Sequence, residues 1–458
     1  MTDDDGVPLT FGQLSVWRIT DRWPIARRPE TYLGTVVPVP AGCTPELLQV
    51  ALRVLCERHE SLRTHFVDTP RGPVQLVRPA EDRVRVATVE LPGADEAAAL
   101  AAGRAEAAEP IDRAVDFGRR FTVVTDGSRP RFVVLVCDHI VADGFAHRRM
   151  SAELTVLMGG VDPDGDRWLA QTPSQPRALA LFQQSEAHRP RRDAARRHWA
   201  GLLAALDPAI FPLPDHGDRD PGRIEAVLSS PGARSALAAA ARRLSVSAHG
   251  VLAALTAVAL AVLTGTPHVV LTLQSSNRFQ PPWLDMVSSM NQYAPLHLDL
   301  AARPDGFDAF AAAVQSGALR AYRFGAYDLD EVTALVRAER GIELGFDHFY
   351  NFMAADVTTA PPYRPAEAAP GRVVATRPNR QVGPRFDLKV HGGPDLRLVV
   401  RADPRLLPEA RLAALLGWFD QELRRLAVDA VVGTAAQYER CERALARRDP
   451  EEVVGWRT

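Results

Sequence analysis

The stretch Asp138-His139-Ile140-Val141-Ala142-Asp143-Gly144 holds the residue types in this chain best suited to chemistry. It follows the apolar run Phe132 to Cys137 and precedes Phe145 to Met158, whose composition and spacing predict a helix. An imidazole has an ordinary pKa of about 6.5, so neutral His139 can accept a proton from an amine or hydroxyl attacking a carbonyl. A strand end is a rigid place from which to present it. Asp143 can support that geometry, directly or by pairing with an arginine. Gly144 permits close backbone approach and opens a helix whose first N–H groups are free to face developing negative charge. The same letters also describe a plain strand-to-helix turn, with a structural histidine and Asp143-Gly144 as turn and N-cap, because His-x-x-x-Asp is a short pattern.

Other chemistries fit less well. Asp138, His139 and Asp143 offer at most three metal ligands, and adjacent strand residues point to opposite faces, so no metal site is expected. No Gly-x-Ser-x-Gly elbow for a serine triad occurs. Lys389 is the only lysine, so there is no Gly-Lys-Ser/Thr phosphate loop and one candidate for a Schiff base. His59 and His65, near a helix end and a strand start, are read as structural. His147 lies one helical turn past Gly144, within reach of the same pocket, but a solvated helix face is the expectation for it. Asn277-Arg278 ends a second apolar strand, where a buried arginine needs a carboxylate, and Asp143 is a sensible partner.

These residues must be held by regular elements. The segment Pro8 to Trp17 reads as a loop leading into a short helix, and Tyr32 to Val39 as a strand. Thr44-Pro45 gives an N-cap and a first-turn proline for a helix with Leu47, Leu48, Ala51, Val54 and Leu55 on one face. Strands are expected at Thr64 to Val67, Val74 to Val77 and Val84 to Val89, with helix over Ala94 to Ala108. Phe121 to Thr125 and Phe132 to Cys137 form a hairpin, the second strand apolar without alternation and therefore covered on both faces. Gly159 to Arg177, rich in Gly, Pro and Asp, reads as a linker. Beyond it, helix over Ala178 to Leu206 is broken by Pro212-Leu213-Pro214-Asp215. Helices follow at Ala233 to Leu244, Ala248 to Thr264, Phe307 to Arg323 and Pro408 to Leu426, among strands at Ile224 to Leu228, His268 to Leu273, Tyr293 to Leu300, Phe346 to Phe352, Arg385 to Val390 and Leu396 to Ala402. The class is α+β, twice over.

At 458 residues two domains are the natural division. The net charge of −2 gives no electrostatic reason to expect nucleic acid or an anionic membrane as partner. Cys43, Cys56, Cys137 and Cys441 form no Cys-x-x-Cys pair and read as free thiols. The acidic Met1 to Asp5 is not a signal peptide, and the apolar run Val251 to Thr264 is too short to cross a bilayer. A cytoplasmic protein is the expectation.

Several further motifs lie in order along the chain. Pro8-Leu9-Thr10-x-x-Gln13-x-x-x-Trp17 comes first, then Arg58-His59-Glu60-x-Leu62-Arg63-Thr64-x-Phe66. After Asp138 to Gly144 come Asn277-Arg278, Asn291 within Met290 to Leu296, Tyr350-Asn351-Phe352 and Arg385-Phe386-Asp387-Leu388. Together these resemble the condensation domains of nonribosomal peptide synthetases, relatives of chloramphenicol acetyltransferase, whose signature is His-His-x-x-x-Asp-Gly. The resemblance spans essentially the whole chain.

It implies two acetyltransferase-like lobes in a V with a tunnel between them, here 1–165 and 178–458 joined by a linker at 166–177. It implies an acyltransferase that joins a carrier-bound acyl or aminoacyl thioester to an amine or alcohol. His139 would deprotonate or position the nucleophile, Asp143 would act structurally through Arg278, and the backbone at Gly144 would help stabilise the oxyanion. Asp138 and Asn291 would support the tunnel. No tightly bound cofactor is implied; the phosphopantetheine arm of an acyl or peptidyl carrier protein, or coenzyme A, would bring the donor. With no adenylation or carrier domain in this length, the enzyme is expected to be freestanding, served by a carrier in trans, and monomeric. The alternative is an inactive docking module that recruits a carrier or tailoring enzyme.

Two departures stand out. Asp138 replaces the first histidine, whose role in the family is mostly structural, so Asp138→His is expected to leave acyl transfer substantially intact. A carboxylate at that place would favour the charged form of His139. The family's Phe-x-Asn-Thr stretch reads Ser289-Met290-Asn291-Gln292, which suggests a specialised lining.

Overall fold

Hydrophobic periodicity carries over into the elements of the computed structural model, which describes residues 6–206, 222–365, 371–375, 383–429 and 433–446. Met1 to Asp5 and the Pro212 to Asp215 break lie outside the described residues. The first half runs β1 (Val7–Pro8), α1 (Phe11–Asp21), β2 (Leu33–Pro38), α2 (Pro45–Arg58), β3 (Thr64–Val67), β4 (Val74–Val77), β5 (Ala87–Glu90), α3 (Glu96–Glu106), β6 (Arg119–Asp126), β7 (Arg129–Cys137), α4 (Gly144–Leu157), α5 (Pro163–Leu169), α6 (Pro176–Gln184) and α7 (Arg189–Ala205). The second runs β8 (Ile224–Ser230), α8 (Pro231–Leu244), α9 (Ala248–Thr264), β9 (His268–Ser275), β10 (Gln292–Asp299), α10 (Phe307–Arg323), α11 (Leu329–Arg340), β11 (Phe349–Met353), β12 (Arg372–Ala375), β13 (Phe386–His391), β14 (Leu396–Ala402), α12 (Glu409–Val428) and α13 (Thr434–Ala446).

The chain divides into two compact units. The first runs to Ala194 and takes in Ser276–Gln292 and Ala326–Leu329 from later in the chain. Its main sheet has the order β2-β7-β6-β5, with β7 antiparallel to both neighbours and β5 parallel to β6. The side chains of β7 alternate between two cores, which is why its sequence shows no polar face. Val134 and Val136 join Ala99 under α3, while Val133, Leu135 and Cys137 pack with Leu48, Leu52, Met150 and Leu154 of α2 and α4. Gly103 lets α3 lie on Val134 with no room for a Cβ between them.

The boundary between units differs from the expected linker at 166–177. Asp162 caps α5 by accepting a hydrogen bond from Gly165 N–H at 2.9 Å, and Pro163 takes the first helical position. The helix packs on α4 through fully buried Trp168 and through Gly165, where a Cβ would collide with the Ala152 carbonyl. A helix start and a linker draw on the same residues, Asp, Pro and Gly, and here the first applies.

The second unit holds a sheet of order β10-β9-β11-β13-β14-β8-β12, with β11 parallel to β9 and β13. Helix α9 is buried along Gly250 to Ala261, which accounts for its apolar run. Among the described residues no single helix is long and apolar enough to cross a membrane. Cys56, Cys137 and Cys441 are buried free thiols, and Cys43 is half-buried and free. Lys389 on β13 lies 3.4 Å from Asp387.

Candidate active site

The turn that follows β7 is anchored on every residue but one. Asp138 N–H donates to the Gly118 carbonyl (2.9 Å), and its carboxylate accepts from Ile140 N–H (3.0 Å). Ile140, Val141 and Ala142 are wholly buried, and the Ser61 hydroxyl donates to the Val141 carbonyl. His139, between these anchors, is half-buried. Burial of its neighbours thus sets the direction in which the imidazole is presented.

The second anchor is α2. Arg58 and His59, from the Arg-His-Glu motif, reach Glu153 of α4 at 3.2 and 2.9 Å, and Arg149 reaches the same carboxylate at 2.7 Å. Burial alone would raise the Glu153 carboxyl, but these partners pull it down to about 2. His59 is structural, as expected. His65 packs on Phe117 and faces Arg78, also a structural setting.

Asp143 is the N-cap of α4. One carboxylate oxygen accepts from Ala146 N–H at 3.0 Å. Arg278 binds the same carboxylate in bidentate fashion at 2.6 and 2.9 Å, and Met290 N–H adds a third donor residue at 3.1 Å. Burial would raise the Asp143 carboxyl; the Arg278 guanidinium and the two backbone donors outweigh it and hold it below the ordinary carboxylate value. Arg278 also donates to the carbonyls of Met286 and Ser288 (3.2 Å each) and lies over the Phe145 ring, 4.5 Å from its centroid. The pairing inferred from two strand ends is therefore present. It lies within the first unit, because Ser276–Gln292 folds back onto that unit.

Around His139 the same segment supplies polar neighbours. The Ser289 hydroxyl is 3.4 Å from His139 Nδ1 and donates to Asn291 Oδ1 at 3.1 Å. Asn277, in the left-handed region at φ 53°, donates to the Met290 carbonyl at 3.0 Å. Gln292 Nε2 donates to Ser15 and to the Tyr327 carbonyl. Gly144 opens α4, and a Cβ there would meet nothing within 4 Å, so the space beside its backbone is open.

Two expectations are corrected. The Asp138 carboxylate bonds Arg113 and not the His139 ring: it is fully buried and holds Arg113 in a bidentate pair at 2.7 and 2.9 Å, with Arg113 also bound to Thr20. His147 is not on a solvated face. It is 5 % exposed, burial together with the nearby His139 pushes its pKa down to about 4, and neither ring nitrogen has a partner among the described residues. Arg113 and Ser289 were missed by reading the sequence. Arg113 sits in irregular chain with no periodic signal; Ser289 lay in a stretch noted only for its departure from a motif.

The Arg113 pair changes the outlook for Asp138→His. Removing one member of a buried ion pair leaves the other charge unpaired, so this variant should lose about 3 kcal/mol of unfolding free energy. Urea denaturation reads this directly, and an unchanged midpoint would show that the imidazole replaces the carboxylate at Arg113.

Two α+β units with a motif histidine at a strand end and the motif aspartate clamped by arginine define a condensation-type protein of the chloramphenicol acetyltransferase class. The condensation-domain family model matches residues 26–401, and the chain belongs to that family. The nonribosomal peptide synthetase agiA of Aspergillus flavus is 30% identical over 170 residues, 36% of this chain and 2% of that protein. The chain thus spans a small fraction of that relative's length. The condensation domain of the Monacolin K polyketide synthase MokA superposes with a TM-score of 0.71 at 18% identity, covering 93% of this chain and 98% of that one. A structure described by condensation domain-mediated chain release from the enacyloxin polyketide synthase gives 0.67 at 22% identity, covering 93% and 84%. Condensation domains form amide or ester bonds from carrier-linked substrates in natural-product biosynthesis.

Proposed function

We propose that this chain is a condensation-type acyltransferase. It transfers an acyl or aminoacyl group from a phosphopantetheine thioester, on a carrier protein or as coenzyme A, to an amine or alcohol. His139 takes the proton as the nucleophile attacks the thioester carbonyl, or holds the nucleophile in line. The tetrahedral oxyanion lies beside the backbone at Gly144; its collapse breaks the C–S bond, and the thiolate leaves with the proton from His139. Asp143 and Arg278 act at one remove, by fixing the loop and the segment that flank the imidazole.

The observation that carries this reading is the contrast at the motif: Asp138 and Ile140 to Asp143 are buried, while His139 between them is only half-buried and Gly144 beyond them is exposed. A docking module has no need of such a histidine. The test is intact-mass analysis of carrier proteins loaded with different acyl groups, incubated with the chain and with panels of amines and alcohols. Loss of acyl mass from the carrier, with a matching amide or ester product, is expected. Stoichiometric carrier binding without transfer from any donor to any acceptor would favour the docking module.

A further inference from the structure

We propose that Ser289 is a positioning residue for His139, fixing which ring nitrogen carries the proton. This rests on the reading of His139 as the base. A neutral imidazole has one N–H and one bare nitrogen, and only the bare nitrogen can take a proton from a nucleophile. Ser289 has a single hydroxyl proton, and it goes to Asn291 Oδ1 at 3.1 Å. The oxygen then meets His139 Nδ1 at 3.4 Å with a lone pair, so that nitrogen is the N–H and Nε2 is left bare. Histidine in water prefers the opposite tautomer, with the proton on Nε2. At 3.4 Å the bond is long, and it biases the tautomer instead of locking it.

What makes so long a contact effective is the rigidity of its acceptor. Residues on both sides of Ser289 are tied down: Arg278 holds the Ser288 carbonyl, while Asp143 and Asn277 hold the Met290 N–H and carbonyl. From above, α1 presses Gly12 against the backbone of Ser289 and Met290, where a Cβ would come within 2.6 Å of Met290 Cα. Ser289 is itself wholly buried, so bulk water does not compete for its hydroxyl. The Asp143–Arg278 pair therefore controls His139 along two routes, through the turn before α4 and through Ser289.

Tautomers are read by nitrogen spectroscopy of the whole chain labelled with 15N-histidine, the His139 signals being assigned by their loss in His139→Asn. The expected spectrum has the His139 proton on Nδ1. In Ser289→Ala it moves to Nε2 and kcat falls about tenfold with KM unchanged, and Ser289→Thr restores both. A wild-type proton on Nε2 overturns the proposal, as does a Ser289→Ala variant that loses kcat with its tautomer unaltered. The spectrum needs no turnover, so a chain that transfers no acyl group still reports on Ser289, and failure of the proposed function is scored separately.

Discussion

Replacing His139 with alanine is expected to lower acyl transfer at least about hundredfold while leaving the fold and the melting temperature nearly unchanged. The two halves of that expectation have separate grounds. The turn from Asp138 to Asp143 is held by Arg113, Ser61, Gly118 and the burial of Ile140 to Ala142, none of which needs the imidazole. Among the described residues the imidazole's one hydrogen-bond partner is Ser289, at 3.4 Å. Its removal therefore deletes a proton acceptor and little else. Single-turnover transfer from a loaded carrier is the measurement. Turnover in the variant at the wild-type rate would remove His139 from the mechanism and leave the nucleophile to lose its proton to solvent.

Asp143→Ala should damage both activity and stability. Arg278 is buried, and four of its five side-chain bonds go to Asp143 or to the carbonyls that Asp143 helps position. Without the carboxylate a guanidinium is left buried and unpaired, at a cost of about 3–5 kcal/mol, and α4 loses its N-cap, worth about 1 kcal/mol more. The pair also sets a pH dependence. Because the folded Asp143 carboxyl sits below its ordinary value, the unfolded chain binds the proton first on acidification. The stabilisation is complete above the ordinary aspartate pKa of about 3.9 and is lost as pH falls from there through the depressed folded value. Melting curves of wild type and Asp143→Ala should converge at acid pH and separate at neutral pH. Parallel curves at all pH values would mean that the ion pair contributes nothing.

The contrast between Asp138 and His147 shows where reading the residues ran short. Neither residue's setting follows from its nearest neighbours in sequence. Asp138 adjoins His139, yet its carboxylate points to Arg113, which is 25 residues earlier and in no regular element. One turn of an amphipathic helix leaves the position of His147 ambiguous, and α4 is buried along Ala146, His147, Arg149 and Met150. The Gly159 to Arg177 stretch erred in the same way, since Asp162-Pro163 begins a helix that only its packing on Ala152 reveals. Helix α11 is legible in the spacing of Leu329, Val332 and Val336, all buried, although it is absent from the expected elements.

Most of the elements, and a candidate centre for the site, are legible in the residues alone. Apolar runs and hydrophobic periods are local, so β7 and α9 are legible as uninterrupted apolar runs and α10 and β14 by their period, and collinear motifs single out Asp138 to Gly144 as the candidate site. Only the tertiary structure decided what stands around His139. Arg278 lies 135 residues from Asp143, and Ser289 lies 150 residues from His139. No periodicity spans such distances. Which buried carboxylate meets which guanidinium, and which hydroxyl faces an imidazole, follows from the return of Ser276–Gln292 to the first unit. Burial makes an unpaired charge expensive, so the return is held by the ion pair at its centre.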